Sequence, residues 1–165
     1  MPIAFIGIGS NIEPRLKYIF DALEKTKKIT EILKISSIYE TQPWGNPNLN
    51  PFFNAVMKIQ TSLTPYQLLE NLLKIERELG RKRTTKWDNR TIDLDLLDYE
   101  NIVLNDTQLI LPHPFLHQRE FVIVPWFEIQ PGWVLANNLK IDDLFNQIDK
   151  TTLQKKVFEI NLNFL

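Results

Sequence analysis

The sequence contains no cysteine, and only two of its 165 residues are histidines. The absence of cysteine excludes a disulfide framework, a thiolate nucleophile and every zinc or iron–sulfur site that uses cysteine ligands. A bound metal ion would therefore need oxygen from Asp, Glu or the backbone, or a histidine nitrogen. A chain without thiols also fits a reducing compartment, and we expect a cytoplasmic protein.

Long hydrophobic runs and an excess of charge of one sign are missing as well. Uninterrupted apolar stretches are short, as in FVIV at 121–124, whereas a membrane-spanning helix needs about 20 apolar residues. The first residues lack the basic region of a signal peptide. With 19 basic and 20 acidic residues the net charge is −1, which favours neither nucleic acid nor an anionic membrane as a partner. We expect a monomer that binds neither.

The length and composition are typical of one globular domain. Hydrophobic residues make up 44% and charged residues 24% of the chain, and 165 residues fall within the range of about 100–200 that one domain usually has. The sequence shows no repeats, low-complexity tracts or linkers. We therefore expect a single domain over residues 1–165.

The order of predicted elements is that of a ferredoxin-like plait. Apolar patterns predict strands over residues 3–8, 32–39, 54–61 and 92–96. Capping-box spacings predict one helix that starts after Ser10 and Glu13 and a second that starts at Thr64 and Gln67 and stops at Gly80. The order β-α-β-β-α-β predicts an α+β fold with an antiparallel sheet and both helices on one face. C-terminal additions should follow: a strand pair near residues 102 and 109, and helices at about 118–127 and from about 142.

Two aspartates in the last predicted strand are candidate metal ligands. Residues two apart on a strand share a face and lie roughly 6.5–7 Å apart, so Asp93 and Asp95 should project together, away from Ile92 and Leu94. Two like charges in this position favour a bound cation, and carboxylates without an adjacent histidine suit Mg²⁺. The alternative is a solvated strand face without a ligand.

A basic segment directly precedes these aspartates. Residues 81–90, RKRTTKWDNR, carry five cations against the single Asp88. Arginine side chains match phosphate oxygens, and metal-assisted phosphoryl transfer depends on such charge neutralisation beside a metal site. We expect this segment to order when a nucleotide binds.

Two other functions remain compatible with these residues. A single-stranded RNA-binding plait could stack bases on Trp87 and neutralise phosphates with the basic segment. A metal-dependent phosphoesterase could use the aspartates and His113 with water as the acceptor. Pro114 disfavours a helical zinc pair of His113 with His117, and a phosphate or adenine pocket that includes His113 and Arg119 is the better interpretation.

Taken together, these segments resemble the 6-hydroxymethyl-7,8-dihydropterin pyrophosphokinase family, and the resemblance spans nearly the whole chain. The family transfers pyrophosphate from ATP to a pterin alcohol in folate biosynthesis. The motifs stand in the family's order and at its spacings. They are IGIGSN, SSIYETQPWG followed by FFNAV, IERELGRKR, W-x-x-R-T-I-D-L-D-L-L and LPHPFLHQREFVIVP.

The resemblance implies a set of ligands and a role for individual residues. It implies ATP as co-substrate and two Mg²⁺ ions, both bound by Asp93 and Asp95. On this basis we expect Arg81 and Arg90 to act in catalysis together with these aspartates, by steadying the transferred pyrophosphate. The residues implied for ATP are Glu76, Arg81, Arg83, Trp87, Arg90, His113 and Arg119. The residues implied for the pterin are Thr41, Pro43, Trp44, Phe52, Asn54 and Phe121.

The chain departs from the family pattern in the basic segment. Where the family usually has Trp-Gly-Pro-Arg, this chain has Trp87, Asp88, Asn89 and Arg90. The change removes a rigid turn and adds a carboxylate to a segment that is expected to close over ATP. It should affect the closure of this segment and leave the reaction unchanged.

Overall fold

The computed structural model describes residues 1–43, 46–82, 88–151 and 153–156, and it has antiparallel sheets with helices packed on both faces of the larger one. The strands are β1 Ile3–Ser10, β2 Glu31–Ile35, β3 Ile38–Thr41, β4 Phe52–Gln60, β5 Asp93–Tyr99, β6 Leu104–Asn105, β7 Ile110–Leu111 and β8 Gln154–Lys156. The helices are α1 Arg15–Lys27, α2 Pro65–Glu78, α3 Glu120–Ile129 and α4 Ile141–Gln147, with a 3₁₀ turn at Leu116–Gln118.

The larger sheet has the strand order of the predicted plait. The order is β5-β1-β4-β3-β8, and β2 pairs with the same strand β4 as β3 does. Strand β1 lies between β4 and β5 and runs antiparallel to both. The ferredoxin-like fold is therefore confirmed, and β8 extends its edge.

The two faces of this sheet bury two separate apolar clusters. Helices α1 and α2 cover the first face, where Ile6 and Ile8 of β1 pack with Leu23 and Leu72. Helix α3 covers much of the second face, where Trp126 stacks on Phe5 with ring centroids 4.4 Å apart. The C-terminal additions therefore form a third layer beside the plait.

The structure confirms some predicted local features and corrects others. The Thr64 and Gln67 capping box starts α2 as predicted. The Ser10 and Glu13 capping box does not form, because Ser10 is still part of β1 and pairs with Phe53. The predicted strand over 32–39 is divided into β2 and β3 at Ser36, whose side chain accepts a hydrogen bond from the Val56 amide at 2.9 Å.

The remaining predicted elements lie close to their expected positions. The strand pair β6-β7 forms the expected hairpin. Helices α3 and α4 begin at Glu120 and Ile141, near the predicted starts at about 118 and 142. None of the helices in the described ranges is long and apolar enough to cross a membrane.

Candidate functional site

The two predicted aspartates lie side by side at the start of β5. Asp93 pairs with Gly9 and Asp95 with Gly7 on the neighbouring strand β1, so no side chain on β1 separates them from the open part of the sheet face. Leu94, between them, points to the opposite side and is buried in the first core cluster. The period of two read from the sequence is the reason that both carboxylates share this face.

Three arginines hold these carboxylates. Arg81 Nη1 donates to Asp93 Oδ1 at 2.5 Å, and Arg90 Nη1 donates to Asp93 Oδ2 at 2.9 Å. Arg119 Nη1 donates to Asp95 Oδ2 at 3.0 Å. Burial, together with the neighbouring charge of Asp93, raises the pKa of Asp95 above its usual value although Arg119 opposes the shift. The site is therefore a compact arrangement of alternating charges.

Glu76 fixes one side of this arrangement from helix α2. The carboxylate is buried, and its Oε1 accepts hydrogen bonds from the Leu94 amide at 2.8 Å and from Arg81 Nη1 at 2.5 Å. One oxygen atom thus connects α2, the segment after it and strand β5. Glu76 positions Arg81 at the edge of the aspartate pair.

Two cavities meet at the aspartate pair. The smaller one has an empty volume of about 610 Å³ and lies between the loop before β4, the end of β3 and the start of α3. The larger one has about 980 Å³ and lies between α2, the hairpin β6-β7 and the segment around His113. The residues that line both cavities are Arg90, Asp93, Asp95 and Arg119. The carboxylates therefore form part of a common wall.

The smaller cavity contains most of the residues that the resemblance implies for a pterin. Thr41, Phe52, Asn54 and Phe121 line it. Asn54 Nδ2 donates to Thr41 Oγ1 at 2.7 Å, which fixes the orientation of the buried amide. Pro43 is not among the lining residues in the described part of the chain. Trp44 lies outside the described residues.

The larger cavity contains the described residues that the resemblance implies for ATP. These are Glu76, Arg81, Arg90, His113 and Arg119. Arg83 and Trp87, with most of the segment expected to order on nucleotide binding, lie outside the described residues.

His113 presents a neutral imidazole to the larger cavity. Its Nδ1 accepts a hydrogen bond from the Phe115 amide at 3.2 Å, and its Nε2 lies 3.4 Å from Arg119 Nη1. Burial, and then the charge of Arg119, lower the pKa of His113 to about 4. The ring is therefore uncharged at neutral pH and can form hydrogen bonds with a phosphate or a base.

Several residues at the site were missed from the sequence. Gly7 and Gly9 carry no predicted role from the sequence, whereas both line the smaller cavity. A Cβ atom at Gly9 would lie 2.9 Å from Asn54 Oδ1, so only glycine leaves this amide in place. Leu69 and the hairpin residues 106–110 line the larger cavity. They are distant in sequence from the aspartates, and no sequence pattern indicates that they belong to the same site.

Asp93 and Asp95 can supply some, but not all, of the ligands that a hard divalent cation needs. Within residues 1–43, 46–82, 88–151 and 153–156, no group of three or more Asp, Glu or His side chains could hold a metal ion. Asp93 and Asp95 offer carboxylate oxygens on one face, and Mg²⁺ usually takes one or two such ligands and completes its shell with water and phosphate. The pair therefore fits Mg²⁺ that arrives with a phosphate ligand.

Comparison with known proteins gives a consistent result. Residues 5–131 match the model of the 7,8-dihydro-6-hydroxymethylpterin-pyrophosphokinase family. The chain is 44% identical over 132 residues to the 2-amino-4-hydroxy-6-hydroxymethyldihydropteridine pyrophosphokinase of Aquifex aeolicus, which covers 80% of this chain and 82% of the relative. It is 40% identical over 149 residues to the protein of the same name from Haemophilus influenzae, covering 89% and 93%.

Solved structures share the fold at much lower identity. A Plasmodium falciparum HPPK-DHPS structure with SDX-DHP superposes with a TM-score of 0.76 at 15% identity. The match covers 93% of this chain and 48% of the longer one. The chain thus spans less than half the length of these solved chains, and the likeness concerns the fold of that part alone.

Proposed function

The chain belongs to the 7,8-dihydro-6-hydroxymethylpterin-pyrophosphokinase family, and from this premise we infer that it transfers pyrophosphate from ATP to the hydroxymethyl group of 6-hydroxymethyl-7,8-dihydropterin in folate biosynthesis. AMP is the second product. The observation that carries this inference is the common wall of the two cavities. Donor and acceptor bound on its two sides would meet at Asp93 and Asp95.

We propose the smaller cavity as the pterin site. A flat bicycle is held well between aromatic faces, and Phe52 and Phe121 line this cavity as half-buried side chains. Because Asn54 Nδ2 already donates to Thr41, its Oδ1 is the amide atom best placed to accept a hydrogen bond from the pterin edge. A backbone contribution near Trp44 remains part of the proposal.

We propose the larger cavity as the nucleotide site. Arg81, Arg90 and Arg119 supply guanidinium groups that match phosphate oxygens. The neutral His113 adds a hydrogen-bonding group without adding charge. Arg83 and Trp87 are proposed to contact ATP as well, on the strength of the family resemblance.

Magnesium completes the proposed site, with ATP as the co-substrate. We propose that Asp93 and Asp95 hold two Mg²⁺ ions, as the resemblance implies. When bound, magnesium neutralises phosphate charge and helps to orient the reacting oxygen. The arginines that now engage these carboxylates are the groups that would turn toward the phosphates, because each guanidinium can exchange one oxyanion partner for another.

The reaction depends mainly on position and charge. The hydroxymethyl oxygen attacks the β-phosphorus, the bond from that phosphorus to the oxygen bridging the α-phosphate breaks, and the alcohol proton is released. Arg81 and Arg90 steady the transferred pyrophosphate, and such preorganised donors are typically worth about 3 kcal/mol in a transition state. Helix α3, which covers the sheet beside the smaller cavity, shields the acceptor from water.

The two alternative functions fit the structure less well. RNA-binding plaits stack bases on an open sheet face, whereas α3 packs on that face here. A phosphoesterase would need only the nucleotide side and would leave the aromatic cavity without a use. Family membership also favours transfer to a pterin over transfer to water.

Phosphorus NMR of the purified protein with MgATP tests the function directly. We expect AMP and a pyrophosphorylated pterin when the reduced pterin alcohol is present, and no change in ATP when it is left out. Release of phosphate or pyrophosphate without the pterin would instead indicate a phosphoesterase.

The setting of this activity is also a proposal. We propose that residues 1–165 act as one pyrophosphokinase domain, that the protein is a cytoplasmic monomer, and that its partners are small molecules. The near-neutral net charge of −1 supports the absence of a nucleic-acid partner.

A further inference from the structure

Three asparagines from three segments form a hydrogen-bonded cluster at the edge of the site. Asn11 Nδ2 donates to Asn89 Oδ1 at 2.7 Å and to the Asn50 carbonyl at 3.1 Å. The Asn50 amide donates to the same Asn89 Oδ1 at 3.1 Å. Asn50 Nδ2 in turn donates to the Asn11 carbonyl at 3.2 Å. The side-chain oxygen of Asn89 is thus a shared acceptor for two other segments.

Each segment of the cluster leads to a different part of the site. Asn11 directly follows Ser10, the last residue of β1, the strand that pairs with Asp93 and Asp95. Asn50 lies in the pterin-side loop, residues 46–51, two residues before Phe52. Asn89 precedes Arg90, which belongs to the common wall of both cavities. The cluster therefore joins the two proposed substrate sites outside the aspartate pair.

Asn11 is the buried centre of the cluster. Its side chain is 1% exposed, and its Oδ1 accepts the Arg90 amide at 2.7 Å while Nδ2 serves the two contacts above. The Asn11 amide also donates to the Arg90 carbonyl at 3.2 Å. The backbone of Arg90 is therefore held by β1, and its neighbour Asn89 is the link from there to the pterin-side loop.

The link is a property of this chain's own sequence. Where the family that the chain resembles usually has the proline of Trp-Gly-Pro-Arg, this chain has Asn89. Proline offers no side-chain acceptor. The guanidinium of Arg90 lies 5.6 Å from the ring centroid of Phe52, so a shift of the pterin-side loop relative to Arg90 would alter both walls of the smaller cavity.

We propose that Asn89 is a positioning residue that holds the pterin-side loop in register with Arg90 and thereby sets the affinity for the pterin. The proposal rests on the proposed function for its substrate. Within the described residues, both contacts of Asn89 to the other two segments end on its Oδ1, so Asn89 acts through this acceptor.

Two substitutions at this position and one control test the proposal. Asn89→Ala removes the acceptor, whereas Asn89→Asp keeps an oxygen in the same place. Asn48→Ala changes an exposed asparagine of the same loop. Steady-state kinetics with each substrate varied separates the KM for the pterin from the KM for ATP. Thermal melting and hydrogen exchange of the Asn50 amide are measured on the same samples.

The expected pattern distinguishes positioning from a general structural role. Asn89→Ala should raise the KM for the pterin about tenfold, as the loss of two neutral hydrogen bonds allows, and should leave the KM for ATP within about threefold. It should also speed exchange of the Asn50 amide. Asn89→Asp should restore most of both properties, and Asn48→Ala should match the wild type.

Other results would overturn the proposal. A wild-type pterin KM and unchanged Asn50 exchange in Asn89→Ala would show that the link has no effect. Equal losses for both substrates with a lower Tm, not restored by Asp, would show a merely structural role. If Asn89→Ala does not fold, Asn11→Asp removes the Nδ2 donor to Asn89 Oδ1 while keeping an acceptor for the Arg90 amide, and is judged by the same measurements. If the wild type makes no AMP, the proposed function fails, and Asn50 exchange still tests the link.

Discussion

The two cavities are built from different kinds of side chain. Apart from the common wall of Arg90, Asp93, Asp95 and Arg119, the smaller cavity is lined by neutral side chains, and its buried polar residues Thr41 and Asn54 are 3% and 7% exposed and hydrogen-bonded to each other. The larger cavity adds the charged side chains of Glu76, Arg81 and Asp106 to this common wall, in which the Asp95 side chain remains 36% exposed. The aspartate pair belongs to both.

The difference indicates two ways of preparing a binding site. In the smaller cavity the polar groups already have one fixed partner, so little reorganisation is needed when a ligand arrives. In the larger cavity the arginines satisfy the carboxylates, and a polyphosphate has to exchange with these ion pairs. We therefore expect substitutions in the common wall to lower kcat most, and substitutions in the smaller cavity to lower the affinity for the pterin. Substitution of a titratable group in the larger cavity should change how the free energy of unfolding depends on pH.

The largest effect is expected at the shared wall. Asp95→Asn keeps the shape of the side chain but removes its charge, and we expect kcat to fall by about a thousandfold because metal binding and charge neutralisation are lost together. The melting temperature should stay within about 4 °C, since the lost Arg119 contact is partly exposed.

Asp143→Asn is the matched control for this change, because it removes an exposed carboxylate on α4, away from both cavities. It should leave kcat unchanged. Near-full activity of Asp95→Asn in Mg²⁺ would show that the shared wall is not the metal site and that the division into two cavities does not reflect the chemistry.

A smaller effect, confined to the pterin, is expected from a substitution in the smaller cavity. Phe121→Ala should raise the KM for the pterin about 10- to 100-fold, because burial of the ring and stacking are both lost. The KM for ATP should stay within about twofold. The proposal that this half-buried ring belongs to the site, and not only to the core, depends on that separation.

Phe127 on the same helix provides the control. Its ring stacks on Phe145 with centroids 4.0 Å apart, packs against the second core cluster and lies outside the lining of the smaller cavity. Phe127→Ala should lower the melting temperature and leave the KM for the pterin unchanged. If Phe127→Ala instead raised the KM for the pterin, and Phe121→Ala only lowered the melting temperature, Phe127 would belong to the site and Phe121 to the core.

The fold could be predicted from the sequence where the signals are local. Periods of two and 3.6 residues and the Thr64 capping box depend on neighbours in the chain, and they were confirmed. The predicted Ser10 capping box does not form, because Ser10 pairs with Phe53, which is distant in sequence, and therefore remains in β1. Local propensity was overridden there by a long-range contact.

The candidate site shows the same division. The position of Asp93 and Asp95 on one face follows from their spacing, but their partners do not. Arg119 lies 24 residues from Asp95, and Asn11 lies 78 residues from Asn89. No periodic pattern connects residues so distant, so the ion pair of Arg119 with Asp95 and the asparagine cluster emerge only from the folded chain.

The smallest effect concerns His113, a neutral titratable group that lines the larger cavity. His113 has a folded pKa of about 4 and about 6.5 when unfolded, so between these values the unfolded chain binds more protons and stability falls as the pH falls. From pH 7 to pH 5 the wild type should lose about 1–2 kcal/mol of unfolding free energy more than His113→Asn, in which Oδ1 can still accept the Phe115 amide. His117→Asn, at an exposed position, is the control. Denaturant unfolding at each pH measures the difference, and parallel curves for wild type and His113→Asn would show that His113 is not held neutral by the fold.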